Sequence, residues 1–373
     1  MIMKIAFYMY TLNVGGAETI VTNYLIELKK RGHEVFLIEN FFTDSLLSKK
    51  LIDNQIPIFN ISKIKKGGRL ARGARKIEMS LFGAKRINSF IKKNGIDVIH
   101  FHSFNKAIKR ICLEPSKIAY TIHSDINRHF AMIGKRNDLV LQKMATRGLI
   151  FIGISKQSCE DISRHYGPRK LFHVNNGLDL KLLSRQIGVK NETLDELKIP
   201  SGSFVVGHIG RFDKVKNHEK VISVFVQIKR RLPNAYLVLV GGYSKERNET
   251  IKELLVKNGI DKSTIILGVR NDAIRFLNTF DVLLFPSFSE CMPLAVIEAL
   301  ALGKKCVVSE NLPEEIKKMC IALSLKQTDE VWADACVDLT VSATNCFDPN
   351  DYEIGAKMRE LERIYAIGNV AKE

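Results

Sequence analysis

FPSFSECMPLAVIEALALG (Phe285–Gly303) carries two carboxylates, Glu290 and Glu298, eight residues apart around the start of an apolar helix. Pro293 suits a first helical position and Gly303 a stop, so the stretch predicts a helix from about Met292 to Leu302, hydrophobic on every side except at Glu298. Such a helix is expected to be buried. An ionised carboxylate there is costly unless something hydrogen-bonds it, and polyhydroxyl ligands such as ribose or hexose are natural partners for Glu298. Glu290 lies just before the helix, where free N–H groups and the positive dipole end favour an anion such as phosphate. A single glutamate of this kind reads most simply as a structural partner of a distant Arg. A glutamate at each end of the turn shifts the balance toward a ligand site.

Outward from this stretch, short β-branched runs alternate with amphipathic helical runs, and they do so twice. In the first half KIAFYMY, EVFLIEN, DVIHFHS, KIAYTIHS, LIFIGIS and LFHVNNG read as strands, separated by helices such as Glu18 to Lys30 and Leu81 to Lys93. The second half restarts at FVVGHIGR. The pattern predicts an α/β chain of two doubly wound, Rossmann-like domains, residues 1–180 and 201–351. Residues 181–200 read as a polar, strand-free linker with one short helix in ETLDELKIP, and residues 352–373 hold a final helix, Tyr352 to Tyr365. Two such domains facing each other leave a cleft at the carboxyl ends of both sheets, where ligands bind in this class.

The chain has 373 residues with 46% hydrophobic content, enough for two cores. Its seven cysteines (Cys112, Cys159, Cys291, Cys306, Cys320, Cys336, Cys346) form no Cys-x-x-Cys pair, which argues against a zinc site or a disulfide framework and for a reducing cytoplasm. MIMKIAFYMY is too short for a signal peptide or a span, and no later uncharged apolar run reaches about 18 residues, so a cytoplasmic chain that does not cross a membrane is expected.

Charge is uneven. Residues 1–180 hold 30 Lys and Arg against 14 Asp and Glu, whereas residues 181–373 hold 27 against 26. Within the first half, Lys63 to Lys93 carries eleven basic residues (Lys63, Lys65, Lys66, Arg69, Arg72, Arg75, Lys76, Lys85, Arg86, Lys92, Lys93) and one acid, Glu78. Interleaved Ile64, Leu70, Ile77, Met79, Leu81 and Phe82 make it a basic amphipathic stretch, suited to an anionic membrane surface at about 1 kcal/mol per well-placed cation. A solvated face is the simpler alternative. A nucleic-acid groove is the least favoured, because no nucleic-acid motif accompanies the stretch.

The Phe285–Gly303 stretch resembles the Glu-x7-Glu signature of the group 1 (family 4) retaining glycosyltransferases of the GT-B fold, which include bacterial capsular and exopolysaccharide enzymes. The resemblance extends along most of the chain. VVGHIGRFDKVKNHEKVISVF (Val205 to Phe225) is similar to the family's strand, glycine turn, Arg and Lys that grip the donor diphosphate. YLVLVGG (Tyr236 to Gly242), IILGVRND (Ile265 to Asp272) and DVLLFPS (Asp281 to Ser287) follow in the family's order. NVGGAETIVTNYLIELKKRGHEV (Asn13 to Val35) resembles its first loop and helix, and VNNGLD (Val174 to Asp179) the segment before its linker.

The resemblance implies roles residue by residue. Gly210, Arg211 and Lys216 would hold the donor diphosphate, with Arg211 and Lys216 stabilising charge on the leaving group. No Asp-x-Asp metal clamp occurs in the sequence, so a metal-independent reaction without a cofactor is expected. Glu290 would contact donor sugar hydroxyls, Glu298 the ribose, and the backbone of Met292, Pro293 and Leu294 the sugar or phosphate. Val269 and Arg270 would lie near the base. Gly15 and Gly16 would sit beside phosphate and acceptor, with Glu18 either joining them or serving as a helix N-terminal acid. The spacing around these glycines lacks Gly-x-Gly-x-x-Gly, which counts against a dinucleotide enzyme. His123, in YTIHSD, stands where the family often places a sugar-contacting His, and His102, in HFHS, is a weaker candidate. Two departures stand out. Cys291 occupies a position the family commonly gives to Gly, and Gly241-Gly242-Tyr243-Ser244 replaces a Gly-x-Gly-Pro turn.

These readings lead to the expectation of a hexosyltransferase using a nucleotide-sugar, most simply UDP-linked, on a saccharide or lipid-linked glycan acceptor at the inner membrane face. In the family the final helix crosses back to the first domain. The competing readings are a nucleotide-sugar epimerase of the same fold and a catalytically silent membrane-binding subunit. The first would need further acids at its cleft; the second would be expected to have lost Glu290, Arg211 or Lys216.

Overall fold

A computed structural model describes residues 2–64, 67–186, 190–242, 244–270, 272–338 and 347–367. Of the sequence candidates, Lys65, Lys66, Tyr243, Cys346 and the end of the 352–373 segment lie outside the described residues. The chain divides into two compact units, one made of Met1–Gly177 with the segment from Asp351, the other of Leu178–Asn350.

The first unit holds seven strands: β1 (Lys4–Met9), β2 (Glu34–Glu39), β3 (Ile58–Asn60), β4 (Val98–Phe101), β5 (Ile118–Ile122), β6 (Ile150–Gly153) and β7 (Lys170–His173). They pair in the order β3-β2-β1-β4-β5-β6-β7, all parallel. The reversal of strand order at β1 and β4 marks a doubly wound sheet. β1, β4 and β5 are buried along nearly their whole length because helices cover both faces, which is why they read as continuous apolar runs instead of alternating ones.

The second unit repeats the plan with six strands: β8 (Phe204–Ile209), β9 (Ala235–Val240), β10 (Thr264–Gly268), β11 (Val282–Phe285), β12 (Lys305–Ser309) and β13 (Ile321–Leu323). Their order is β10-β9-β8-β11-β12-β13, again parallel. The helix His218–Arg231 buries Val221, Ile222, Val224, Phe225 and Ile228 at helical spacing against the core that includes Val206, Leu237 and Leu239.

Several elements differ from their sequence reading. β3, β12 and β13 were not anticipated; β3 and β13 run three residues at the sheet edges, too short for a periodic signal, and form only because a neighbouring strand offers its edge, whereas β12 is as long as β5, which was read. The basic helix is twice the length expected, Arg69–Asn94 instead of Leu81 to Lys93, and ends on Gly95 at φ +63°. Residues 181–200 contain two short helices, Leu180–Ser184 and Lys190–Glu196, and belong to the second unit. Ion pairs hold the second of them: Lys190 to Asp281 at 2.7 Å and Glu196 to Arg275 at 2.5 Å. The Phe285–Gly303 helix spans Leu294–Ala301, with Pro293 as its cap and Gly303 at φ +68°.

The helix Ile354–Ile367 packs within the first unit. Glu362 forms a two-point ion pair with Arg31 (2.6 and 2.8 Å) and meets His33 at 2.9 Å, while Tyr365 is fully buried beside His100.

Candidate active site

In the second unit the candidate residues collect at the carboxyl ends of β8, β9, β10 and β11. Gly210 follows β8 and its N–H donates to the Val240 carbonyl (3.0 Å), while the Gly241 N–H reaches the Gly268 carbonyl (2.8 Å). Gly241 has φ +139°, and a Cβ there would lie 1.9 Å from the Gly210 oxygen, so only glycine fits. This close approach presses the ends of β8 and β9 together and sets the start of the loop that follows.

That loop carries both cations. Arg211, half exposed, pairs with Asp213 at 3.1 Å. The Asp213 carboxylate also accepts from the Lys216 N–H (3.3 Å), capping the turn Lys214–Lys216. Asn217 adopts φ +54° and its side-chain amide donates to the Pro286 carbonyl (3.1 Å), tying the loop to the end of β11. Lys216 then reaches Glu290 with Nζ–Oε1 at 2.6 Å, over the Phe285 ring at 4.6 Å, and both side chains are more than four-fifths buried. Residues 74 apart in the chain thus form one charged cluster. Asp213 and Asn217 were missed by the sequence reading, although an Asp three residues before Lys216 and an Asn before a helical run are the local signal for a capped turn.

Glu298 lies on the helix Leu294–Ala301, largely sunk, with no described side chain hydrogen-bonded to its carboxylate. Desolvation pushes its carboxyl up to about 8. Met292 and Pro293 are buried at the helix entry, and Cys291 is buried without a positive φ, so a side chain is accommodated where glycine is common. Val269 is half exposed and adjoins Gly242. Arg270 is held by its neighbours at the end of β10. It makes a two-point pair with Asp272 (2.7 Å each) and stacks over Phe276 at 4.9 Å.

In the first unit, Gly15 caps the helix Gly16–Lys30, and the Glu18 carboxylate folds back so that a Cβ on Gly15 would meet it at 2.5 Å. Gly16 stands open. The loop before them is anchored by Glu39, which the sequence reading did not single out. This fully buried carboxylate accepts from the N–H groups of Leu12 (3.2 Å) and Thr43 (3.1 Å), and desolvation raises its carboxyl to about 7. At the ends of β4 and β5, His102 Nδ1 and His123 Nε2 lie 2.9 Å apart with their rings stacked, and burial lowers His123 to about 4. Among the described residues no cluster of three or more His, Cys, Asp or Glu is arranged to hold a metal ion.

Two family descriptions match the chain in tandem: glycosyltransferase family 4 over residues 14–182 and glycosyl transferases group 1 over residues 189–318. The chain is a group 1 glycosyltransferase. The first match contains Gly15, Gly16, Glu18, His102 and His123; the second contains Gly210, Arg211, Lys216, Val269, Arg270, Glu290 and Glu298. This glycosyltransferase is 24% identical over 293 residues to the capsular polysaccharide biosynthesis glycosyltransferase CapH of Staphylococcus aureus, covering 74% of this chain and 78% of that one. It is 27% identical over 232 residues to the UDP-Gal:alpha-D-GlcNAc-diphosphoundecaprenol alpha-1,3-galactosyltransferase of Escherichia coli, 59% of each. Its fold matches that of Anabaena HepE, crystallised with UDP and glucose, with a TM-score of 0.75 at 18% identity over 98% of this chain and 99% of that one. The fold of this glycosyltransferase is therefore GT-B.

Proposed function

We propose that this glycosyltransferase moves a hexose from a UDP-sugar to a lipid-linked saccharide in the building of a cell-surface polysaccharide, with retention of configuration and without a metal. The observation that carries the reading is the Lys216–Glu290 pair at the glycine turn beside Arg211, with Glu298 nearby in sequence and bonded to no side chain among the described residues. Departure of UDP leaves growing negative charge on a phosphate, and Arg211 and Lys216 supply fixed positive charge for it in place of a divalent ion. Glu298, short of a partner, suits a ribose diol, and Glu290 suits the hydroxyls of the transferred sugar. We assign His123 a contact with that sugar. The UDP held by HepE and the UDP-Gal donor and diphosphoundecaprenol acceptor in the Escherichia coli relative's name support the choice of donor and acceptor class.

The membrane part of the proposal rests on the helix Arg69–Asn94. It buries only Arg75, Gly83, Ile87 and Ile91, while Leu70 (91% exposed), Ile77 and Leu81 stand in water on one side at spacings of seven and four. Exposed Arg69, Arg72, Lys76 and Lys85 lie on the same helix, Lys85 close beside that stripe and the others further round. A merely solvated face has no use for the three aliphatic side chains, whereas an anionic leaflet takes up both features. No helix among the described residues is long and apolar enough to cross a membrane, and we place the protein on the cytoplasmic surface.

Thermal shift of the purified protein with UDP, GDP, ADP and the common UDP-hexoses, with and without EDTA, tests the reading. Stabilisation by UDP and by one UDP-hexose, indifferent to EDTA, is expected. Silence toward every nucleotide would overturn it in favour of a non-catalytic membrane subunit.

A further inference from the structure

The histidines of the first unit form a ladder across two strands. His100 and His102 are two residues apart at the end of β4, so their side chains share a face, as do Thr121 and His123 at the end of β5. The β4–β5 register, His100 beside Ala119 and Phe101 beside Tyr120, sets them diagonally across the ladder: His100 Nε2 meets Thr121 Oγ1 at 2.7 Å and His102 Nδ1 meets His123 Nε2 at 2.9 Å. His102 packs against both the His100 ring (4.0 Å between centroids) and the Phe7 ring (4.7 Å), which also touch each other. His100 is held in turn by the Tyr365 hydroxyl at 2.6 Å, from the helix Ile354–Ile367.

Burial keeps all three imidazoles neutral near pH 7, so one proton lies between His102 and His123. Its owner follows from the far side of His102. Nε2 of that ring is buried with no partner among the described residues. If His123 donated, His102 would carry its own proton on this buried nitrogen, and an orphaned N–H is the rarer and costlier defect. If His102 donates from Nδ1, only a lone pair is left there. His123 then holds its proton on Nδ1, the nitrogen to which no described residue bonds.

We infer that His102 is a positioning residue that fixes the tautomer of His123, so that His123 offers an N–H donor from Nδ1 to a hydroxyl of the sugar. The inference rests on the proposal that His123 contacts the transferred sugar. A donor at this point turns a hydroxyl lone pair toward the ring, whereas the opposite tautomer would accept the hydroxyl proton and turn the group the other way.

Nitrogen-15 NMR of the histidine-labelled full chain tests it, with the His123 signals identified by their loss in His123→Ala. Wild type is expected to show a protonated Nδ1 and a bare Nε2 at His123. In His102→Leu, His123 should shift toward the Nε2–H form and kcat should fall about tenfold with the melting temperature nearly unchanged. His102→Asn, whose amide can donate from the position of Nδ1, should recover most of that loss. A wild-type His123 protonated at Nε2, or an unchanged tautomer in His102→Leu, would overturn the inference, and the wild-type spectrum decides the first point even if the Leu variant does not fold. Full transfer activity in His123→Ala would instead overturn the sugar contact, leaving the tautomer result to stand by itself.

Discussion

The two units share one strand order and differ in what they place at its carboxyl ends. The second unit, nearly neutral in sum, concentrates ionised side chains there: Arg211 with Asp213, Lys216 with Glu290, Arg270 with Asp272. The first unit, which carries almost all of the chain's excess positive charge, places neutral imidazoles and two glycines there and carries eight of its cations on the helix Arg69–Asn94. Net charge is thus no guide to where ionic chemistry sits. A doubly wound sheet supplies a position, the strand ends, and the side chains after each strand decide whether it grips an anion or a hydroxyl.

The strongest way to break this comparison is to remove the proposed ionic grip. Arg211→Ala/Lys216→Ala should lower kcat/KM by roughly 10²-fold or more while circular dichroism and melting remain near wild type; normal turnover would mean that the second unit's charges are ordinary ion pairs. Reversing Arg69, Arg72, Lys76 and Lys85 to Glu should cut partitioning onto anionic vesicles by up to about a thousandfold, at about 1 kcal/mol per cation, and leave UDP binding alone. Unchanged partitioning in a sedimentation assay would return the helix to a solvated face.

A finer contrast concerns proton uptake. The Glu298 carboxyl is raised from an ordinary value of 4.5 to about 8 in the folded chain. Between those values the native state binds a proton that the unfolded state does not, so this contribution to stability is whole below about 4.5 and is lost as pH rises through about 8. Melting temperature should therefore carry a downward component from pH 5 to 8 that Glu298→Gln lacks, and parallel pH profiles of the two proteins would contradict it. The smallest expected effect is Tyr365→Phe, which strips a buried hydrogen bond from His100 and should cost about 1–2 kcal/mol in urea unfolding, with nucleotide binding unchanged.

Much of the candidate site was legible before any coordinates. The long apolar runs of β1, β8, β9 and β11, the glycine after β8 and the carboxylates of Phe285–Gly303 announce themselves locally, because a strand covered on both faces must be apolar throughout and a turn at its end needs specific residues. Arg270 was equally visible as a charged residue at the end of β10, yet its commitment to Asp272 was not. His102 was visible as half of an H-x-H pair, but its value depended on which strand lay beside it.

The sequence alone determined the α/β class, two doubly wound sheets, the uneven charge and the residue types after each strand, since each depends on periodicity or composition within a short window. Only the tertiary structure decided that Lys216 meets Glu290, that Tyr365 steadies His100 across 265 residues, and that the three-residue strands β3 and β13 exist at all. Those outcomes depend on which surfaces the folded chain brings within hydrogen-bonding reach. A short strand has too few residues to favour extension until an edge pairs with it, and an ion pair or imidazole bond is set by angstroms of register that no local pattern encodes.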